Sequence, residues 1–265
     1  MYSATALAKK YLHYFFSASN GKGHGVHSPF VFDFIKFVKN DKRQYDCYKP
    51  IEAIRKELLQ DKRIIEVEDF GAGSTVIKTN NRVVYKMAQS SLKPKRFAQL
   101  LCRMVQYYKP AVMLELGTSF GITSCYIAKG NVAGKLYTLE GAPSIAAIAR
   151  HNFERLGIQN VQLTEGSFDK TLQPLLTSLQ QIDFAFVDGN HKKEPTLHYF
   201  DELLKRSTDQ TILIFDDIHW SREMEEAWAI IKNNDAVTLS IDLFFIGIIF
   251  LRKDFKVKQH FTVRM

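Results

Sequence analysis

No stretch of this sequence stays apolar for longer than nine residues, Leu243 to Leu251, and Arg252 closes it. A membrane-spanning helix needs about twenty, so no membrane partner is expected. Cysteine is scarce as well. Cys47, Cys102 and Cys125 are odd in number and scattered, with no CxxC pair. That argues against a disulfide framework or a structural zinc and suits a reducing, cytoplasmic setting. The opening MYSATALAKKYLHYFF lacks the charged start, apolar core and small-residue cleavage site of a secretory leader. Internal repeats and low-complexity tracts are missing too.

What is present has the balance of a folded chain. Hydrophobic residues make up 46% and charged residues 24% of 265, enough to bury one large core with an appendage. The net charge of +8 permits an acidic partner such as nucleic acid. The basic residues are spread along the chain, many at helical spacing beside acids, which reads as a solvated surface. Nucleic acid is not expected.

Residues 1–91 differ from the rest. Tyr11 to Phe16 and Phe30 to Val38 are aromatic-rich, and the turn-prone SASNGKGHGVHSP lies between them. Residues 50–60 place Ile51, Ile54, Leu58 and Leu59 on one helical face. The region is expected to be a mainly helical cap that lines an acceptor pocket or forms a homodimer surface. From Leu92 onward, strands and helices alternate. The expected strands are 111–116, 135–140, 160–165, 182–188 and 211–217, with a helix opening at Pro143 and closing at Gly157 and another following Ser221. Short apolar strands between amphipathic helices imply a mostly parallel sheet covered on both faces. VTLSIDLFF and GIIFLRKDF leave no room for a helix between them and must pair as a hairpin near Phe245 to Gly247. The expected fold is α/β: seven strands, a C-terminal antiparallel hairpin, and a domain spanning 92–265.

Three sites carry chemistry. After the first strand comes Glu115-Leu116-Gly117-Thr118-Ser119-Phe120-Gly121, where glycines let the backbone approach a ligand and the next helix presents free N–H groups. The spacing is GxxxG rather than the GxGxxG of a pyrophosphate turn. Glu140, followed by Gly141, ends the second strand, where an acid commonly receives ribose hydroxyls. Asp188 closes the fourth strand, and Asp216 with Asp217 closes the fifth. Parallel strands bring their carboxyl ends to one edge. Three carboxylates there repel one another unless a small divalent cation such as Mg²⁺ sits among them.

VMLELGTSFGITS, LYTLEG and LTEGSFD resemble the successive cofactor motifs of the catechol-type O-methyltransferases, which are class I S-adenosylmethionine-dependent enzymes. FVDGNHKKEPT and IFDDIHW are similar to the branch that includes macrocin and sugar O-methyltransferases. The resemblance covers about 92–255 and implies a Rossmann-like domain. It implies that Glu115 and the backbone of 117–121 hold the methionine part of the cofactor, Glu140 the ribose, and Gly166, Ser167 and Phe168 the adenine side. It also implies a metal on Asp188, Asp216 and Asp217 that clamps the substrate's oxygens. The catechol branch carries Asn at the position of Asp217 and Lys at that of His191; the sugar branch carries Asp and His. His191, three residues past Asp188, is the expected base, and His219 is a weaker rival.

Other motifs are expected to be inert. DFGAGS (69–74) has no acid-tipped strand after it, GNVAGK (130–135) falls one residue short of a phosphate loop, and His24 with His27 lacks spaced partners. The expected reaction is methyl transfer from S-adenosylmethionine to a small-molecule hydroxyl. The rivals are an RNA-directed methyltransferase, a nicotinamide-dependent oxidoreductase and a non-catalytic cofactor-binding protein. No motif names the acceptor.

Overall fold

The computed structural model describes residues 1–19, 21–23, 27–67 and 80–265. DFGAGS and His24 therefore fall outside the described residues. Contacts divide the chain into two units: residues 1–41 with 179–265, and residues 42–178. Residues 1–91 are thus shared between them.

In the first unit, α1 (Ala4–Ser17) is capped by the Ser3 hydroxyl, which accepts from the Ala6 amide, and α2 (Pro29–Asp33) is capped in the same way by Ser28. One π-helical turn, Phe34–Lys39, follows.

The second unit begins with α3 (Tyr48–Leu58), whose stripe of Ile51, Ile54 and Leu58 is buried. The short antiparallel strands β1 (Ile64–Glu66) and β2 (Asn81–Val83) come next, then α4 (Val84–Ser91). In α5 (Lys95–Tyr108), Phe97, Leu100, Leu101, Met104 and Val105 recur at helical spacing and are all buried. A left-handed Lys109 and then Pro110 stop the helix. β3 (Val112–Leu116), β4 (Lys135–Glu140) and β5 (Val161–Glu165) pair in parallel in that order. The helices between and after them are α6 (Ile122–Gly130), α7 (Pro143–Arg155) and α8 (Phe168–Ser178). Pro143 stands in the first turn of α7, and Gly157, at φ 58°, follows its last turn, so both sequence signals for this helix hold.

The first unit resumes with β6 (Ile182–Val187), α9 (Lys193–Leu204), β7 (Ser207–Asp216) and α10 (Arg222–Asn233). The Ser221 hydroxyl caps α10 by accepting from the Met224 amide. β6 and β7 are parallel. β8 (Leu239–Asp242) and β9 (Ile246–Phe250) form the expected hairpin, with β9 antiparallel to β7. The count of seven strands is corrected here. β10 (Gln259–Thr262) adds in parallel beyond β8, and together the strands make a mixed, mostly parallel eight-stranded sheet of the Rossmann-like kind. Among the described residues, no helix is long and apolar enough to cross a membrane.

Candidate active site

The carboxyl end of β3 turns sharply. Gly117 (φ 103°), Ser119 (φ 48°) and Gly121 (φ 78°) all adopt left-handed conformations. At Gly121 a Cβ would lie 2.7 Å from the Phe153 ring and 3.1 Å from Ala149 on α7, so the position holds only glycine without strain. The amides of Gly117 and Thr118 donate to the Leu139 carbonyl, 3.0 and 3.1 Å away, which staples the turn to β4.

Glu140 completes this cradle. One carboxylate oxygen accepts from the Ser119 amide (2.8 Å) and the other from the Ala142 amide (3.0 Å), while the Glu140 carbonyl accepts from the Gly166 amide (2.9 Å). The glycine turn, the end of β4 and the turn after β5 are thereby laced through one residue. Gly117, Ser119, Glu140, Gly141, Gly166, Ser167 and Phe168 are all half-buried, whereas Thr118 and Gly121 are buried. Such a row of partly open backbone suits a ligand that runs along it.

Glu115 sits lower, wholly buried. Its Oε2 accepts from the Ser124 hydroxyl on α6 and from Thr138 Oγ1 (2.6 Å), and Thr138 is itself 2.6 Å from Thr118 Oγ1. A carboxylate only accepts, so Thr118 donates to Thr138 and Thr138 to Glu115. This chain fixes the turn from beneath. Nothing in the sequence announced it, because hydroxyl residues leave no periodic trace.

The other unit gathers a second group. Asp188 follows β6, Asp216 ends β7 with 1% exposure, and His191 Nε2 lies 3.6 Å from Asp188 Oδ1. One ligand atom from each of Asp188, His191 and Asp216 lies within 4.8 Å of the other two. Asn190 (φ 63°) and His191 (φ 32°) are left-handed, and the Asn190 amide donates to the Tyr199 hydroxyl. Strained backbone of this kind persists where surrounding structure enforces it. Two carboxylates and an imidazole are a donor set that a small divalent ion accepts. Asp217 stands outside that three-member group. It is left-handed (φ 54°), its amide donates to the Phe245 carbonyl (2.7 Å), and it lines a small cleft with Leu7, His219, Trp220, Phe244 and Phe245.

Both nitrogens of His219 are engaged: Nε2 lies 2.8 Å from Asp242 and Nδ1 3.1 Å from Glu225. Burial alone would push its pKa down, yet the two carboxylates outweigh burial and hold it above the ordinary value. His219 is therefore a charged link rather than a free base. Glu225 is a hub that sequence reasoning missed, and it also accepts from Tyr2 (2.6 Å) and Lys10 (2.9 Å). Around the same place Tyr11 and Tyr14 of α1 pack on Phe244, with ring centroids 5.1 and 5.2 Å away. The aromatic run was the one signal for this contact.

Residues 114–218 match the family model of a methyltransferase domain. The chain is 29% identical over 163 residues to a catechol O-methyltransferase of Niastella koreensis, covering 60% of this chain and 72% of the relative. It is 26% identical over 122 residues to a catechol O-methyltransferase of Mycobacterium tuberculosis, covering 45% of this chain and 54% of that one. The solved S-adenosylhomocysteine-bound Podospora anserina methyltransferase PaMTH1 superimposes with a TM-score of 0.60 at 16% identity, covering 85% of this chain and 97% of the other. At that identity the likeness concerns the fold.

Proposed function

We propose that the chain is a class I S-adenosylmethionine-dependent O-methyltransferase, as its likeness to such enzymes supports, and that it methylates a hydroxyl oxygen of a small molecule, with a divalent cation assisting at the acceptor. The observation that carries the cofactor half is the hydrogen bond from the Ser119 amide to Glu140, which ties a backbone-exposing glycine turn to an acid at the end of the next strand. A carboxylate has about four lone-pair sites. Its two oxygens accept from the Ser119 and Ala142 amides, and an acid at this place commonly receives ribose hydroxyls. On this reading the 117–121 backbone, steadied by Glu115, takes the methionine end, and Gly141, Gly166, Ser167 and Phe168 border the nucleoside.

When bound, S-adenosylmethionine supplies a methyl group already activated on sulfonium, and the protein's task is alignment. Asp188 and Asp216, with Asp217 as a further acid, would hold the cation, whose charge lowers the acceptor hydroxyl's pKa. His191, beside Asp188, would remove the hydroxyl proton. The grouping of His191 with Asp188 and Asp216 favours a second reading, in which His191 is a ligand. The domain 92–265 would then be the methyltransferase proper. The aromatic α1, packed on Phe244, would border the acceptor.

Calorimetric titration with S-adenosylhomocysteine tests the cofactor half, and absence of binding sinks it. Labelled methyl transfer to catechol, sugar and RNA panels, with and without chelator, tests the rest. Methylation of RNA alone would overturn the small-molecule reading, and chelator-insensitive turnover would remove the cation. Asp216→Ala should abolish turnover while the fold survives. His191→Ala should cost about 10²-fold or more in rate if His191 is the base; if it is a ligand, the cation affinity falls as well.

A further inference from the structure

The turn that leads from β7 into α10 carries Asp217 and is held from three sides, all within the unit of residues 1–41 and 179–265. Asp217 is left-handed (φ 54°), a conformation that a residue with a Cβ keeps only where its surroundings enforce it. The first hold is backbone: the Asp217 amide donates to the Phe245 carbonyl (2.7 Å), and the Trp220 amide donates back to the Asp217 carbonyl (2.9 Å). The second is Asp242 at the end of β8. Its Oδ1 accepts from the Phe244 amide (2.8 Å), and its Oδ2 lies 2.8 Å from His219 Nε2. The His219 ring stacks on Phe244, centroids 5.1 Å apart. The third hold comes from the N-terminal segment through Glu225 in the first turn of α10. Glu225 Oε1 lies 3.1 Å from His219 Nδ1 and accepts from Lys10 Nζ (2.9 Å), while Oε2 accepts from the Tyr2 hydroxyl (2.6 Å). The Tyr2 amide then donates to the Trp220 carbonyl (3.0 Å), which closes the loop of contacts.

We propose that Glu225 is a positioning residue for the candidate cation site: gripped by Tyr2 and Lys10, it clamps His219 and so sets the turn that begins at Asp216 and Asp217. The proposal rests on the reading that Asp188, Asp216 and His191 gather round a divalent ion. Asp216 is 1% exposed and contributes one of the three converging ligand atoms, and it is joined directly to the clamped turn. A divalent ion demands carboxylates already in place, because each ångström of ligand rearrangement subtracts from binding, and groups that orient ligands change affinity without touching the ion. Glu225 meets that description. It reaches the turn only through His219 and the N-terminal segment, and it is absent from the converging group itself. The cofactor cradle of residues 115–168 belongs to the other unit and receives none of these bonds, so cation and cofactor binding should respond differently.

The test uses the full chain and Mn²⁺ as the probe ion, with free Mn²⁺ followed by electron paramagnetic resonance and S-adenosylhomocysteine affinity measured alongside. Glu225→Gln should weaken Mn²⁺ binding about 10-fold, the lower end for a group that orients metal ligands, while S-adenosylhomocysteine affinity holds. Tyr2→Phe, which removes a single hydroxyl, should weaken Mn²⁺ in the same direction by a smaller factor. Added to Glu225→Gln it should cost nothing further, since both cut one line of contacts. Glu223→Gln, which deletes the same charge from the same helical turn without touching His219, should bind Mn²⁺ as the wild type does. The proposal is overturned if Glu225→Gln keeps wild-type Mn²⁺ affinity, or if Glu223→Gln loses as much, which would make the effect one of net charge. It is also overturned if Glu225→Gln loses both ligands together, which would make Glu225 a support of the whole fold; Tyr2→Phe then has to show no selective loss either. A wild-type chain that binds no Mn²⁺ instead removes the cation reading, and this proposal with it.

Discussion

At the scale of the residue, the carboxylates carry most of the argument. Glu140 stands out in the sequence as an acid at a strand end, a fixed distance after a glycine turn, a place that reads as a ribose site. Its bonds to Ser119 and Ala142 give that reading a mechanism. Glu140→Ala should weaken S-adenosylhomocysteine binding by roughly 10- to 100-fold, the worth of one or two charge-assisted hydrogen bonds, as read by calorimetry; unchanged affinity would remove the role. His219, the weaker rival for the base in the sequence, is held by Asp242 and Glu225, which reach it from separate segments. Its folded pKa stands above the unfolded value of 6.5. Its pairing therefore stabilises the fold fully below about pH 6.5 and fades as pH rises through the folded pKa. The stability gap between wild type and His219→Gln, from urea unfolding, should narrow from pH 6 to pH 9. A gap that widens over that range contradicts the charged link.

At the scale of the element, periodicity did well wherever helices were amphipathic and strands apolar. The α5 stripe and the Pro143 start of α7 are examples. It failed at β10, where QHFT is short, polar, and preceded by the charged RKDFKVK. A strand of four residues at a sheet edge has too little apolar face to announce itself. The turn after β3 has little tolerance for a side chain. Gly121→Ala places a methyl against Phe153 in a left-handed backbone, and a loss of about 1–3 kcal/mol is expected from strain and overpacking. Thermal or urea denaturation would show it, and a neutral substitution would mean that α7 yields easily.

At the scale of the whole molecule, sequence gave no hint that residues 1–41 share a unit with 179–265. The ties are distant pairs: Tyr2 and Lys10 with Glu225, and the Tyr14 hydroxyl donating to the Val263 carbonyl. Removing residues 1–41 should therefore loosen β8, β9 and α10 rather than detach a separable lid. Hydrogen exchange would register faster opening in 219–250, and unchanged protection there would refute it. The same interleaving has a consequence for biosynthesis. At about 5–20 residues per second, the ribosome spends on the order of ten seconds on residues 42–178 before the strands that α1 needs begin to emerge. Throughout that interval Tyr11, Tyr14 and Phe15 have no native surface to rest on, which makes the nascent helix a natural client for a chaperone at the tunnel exit.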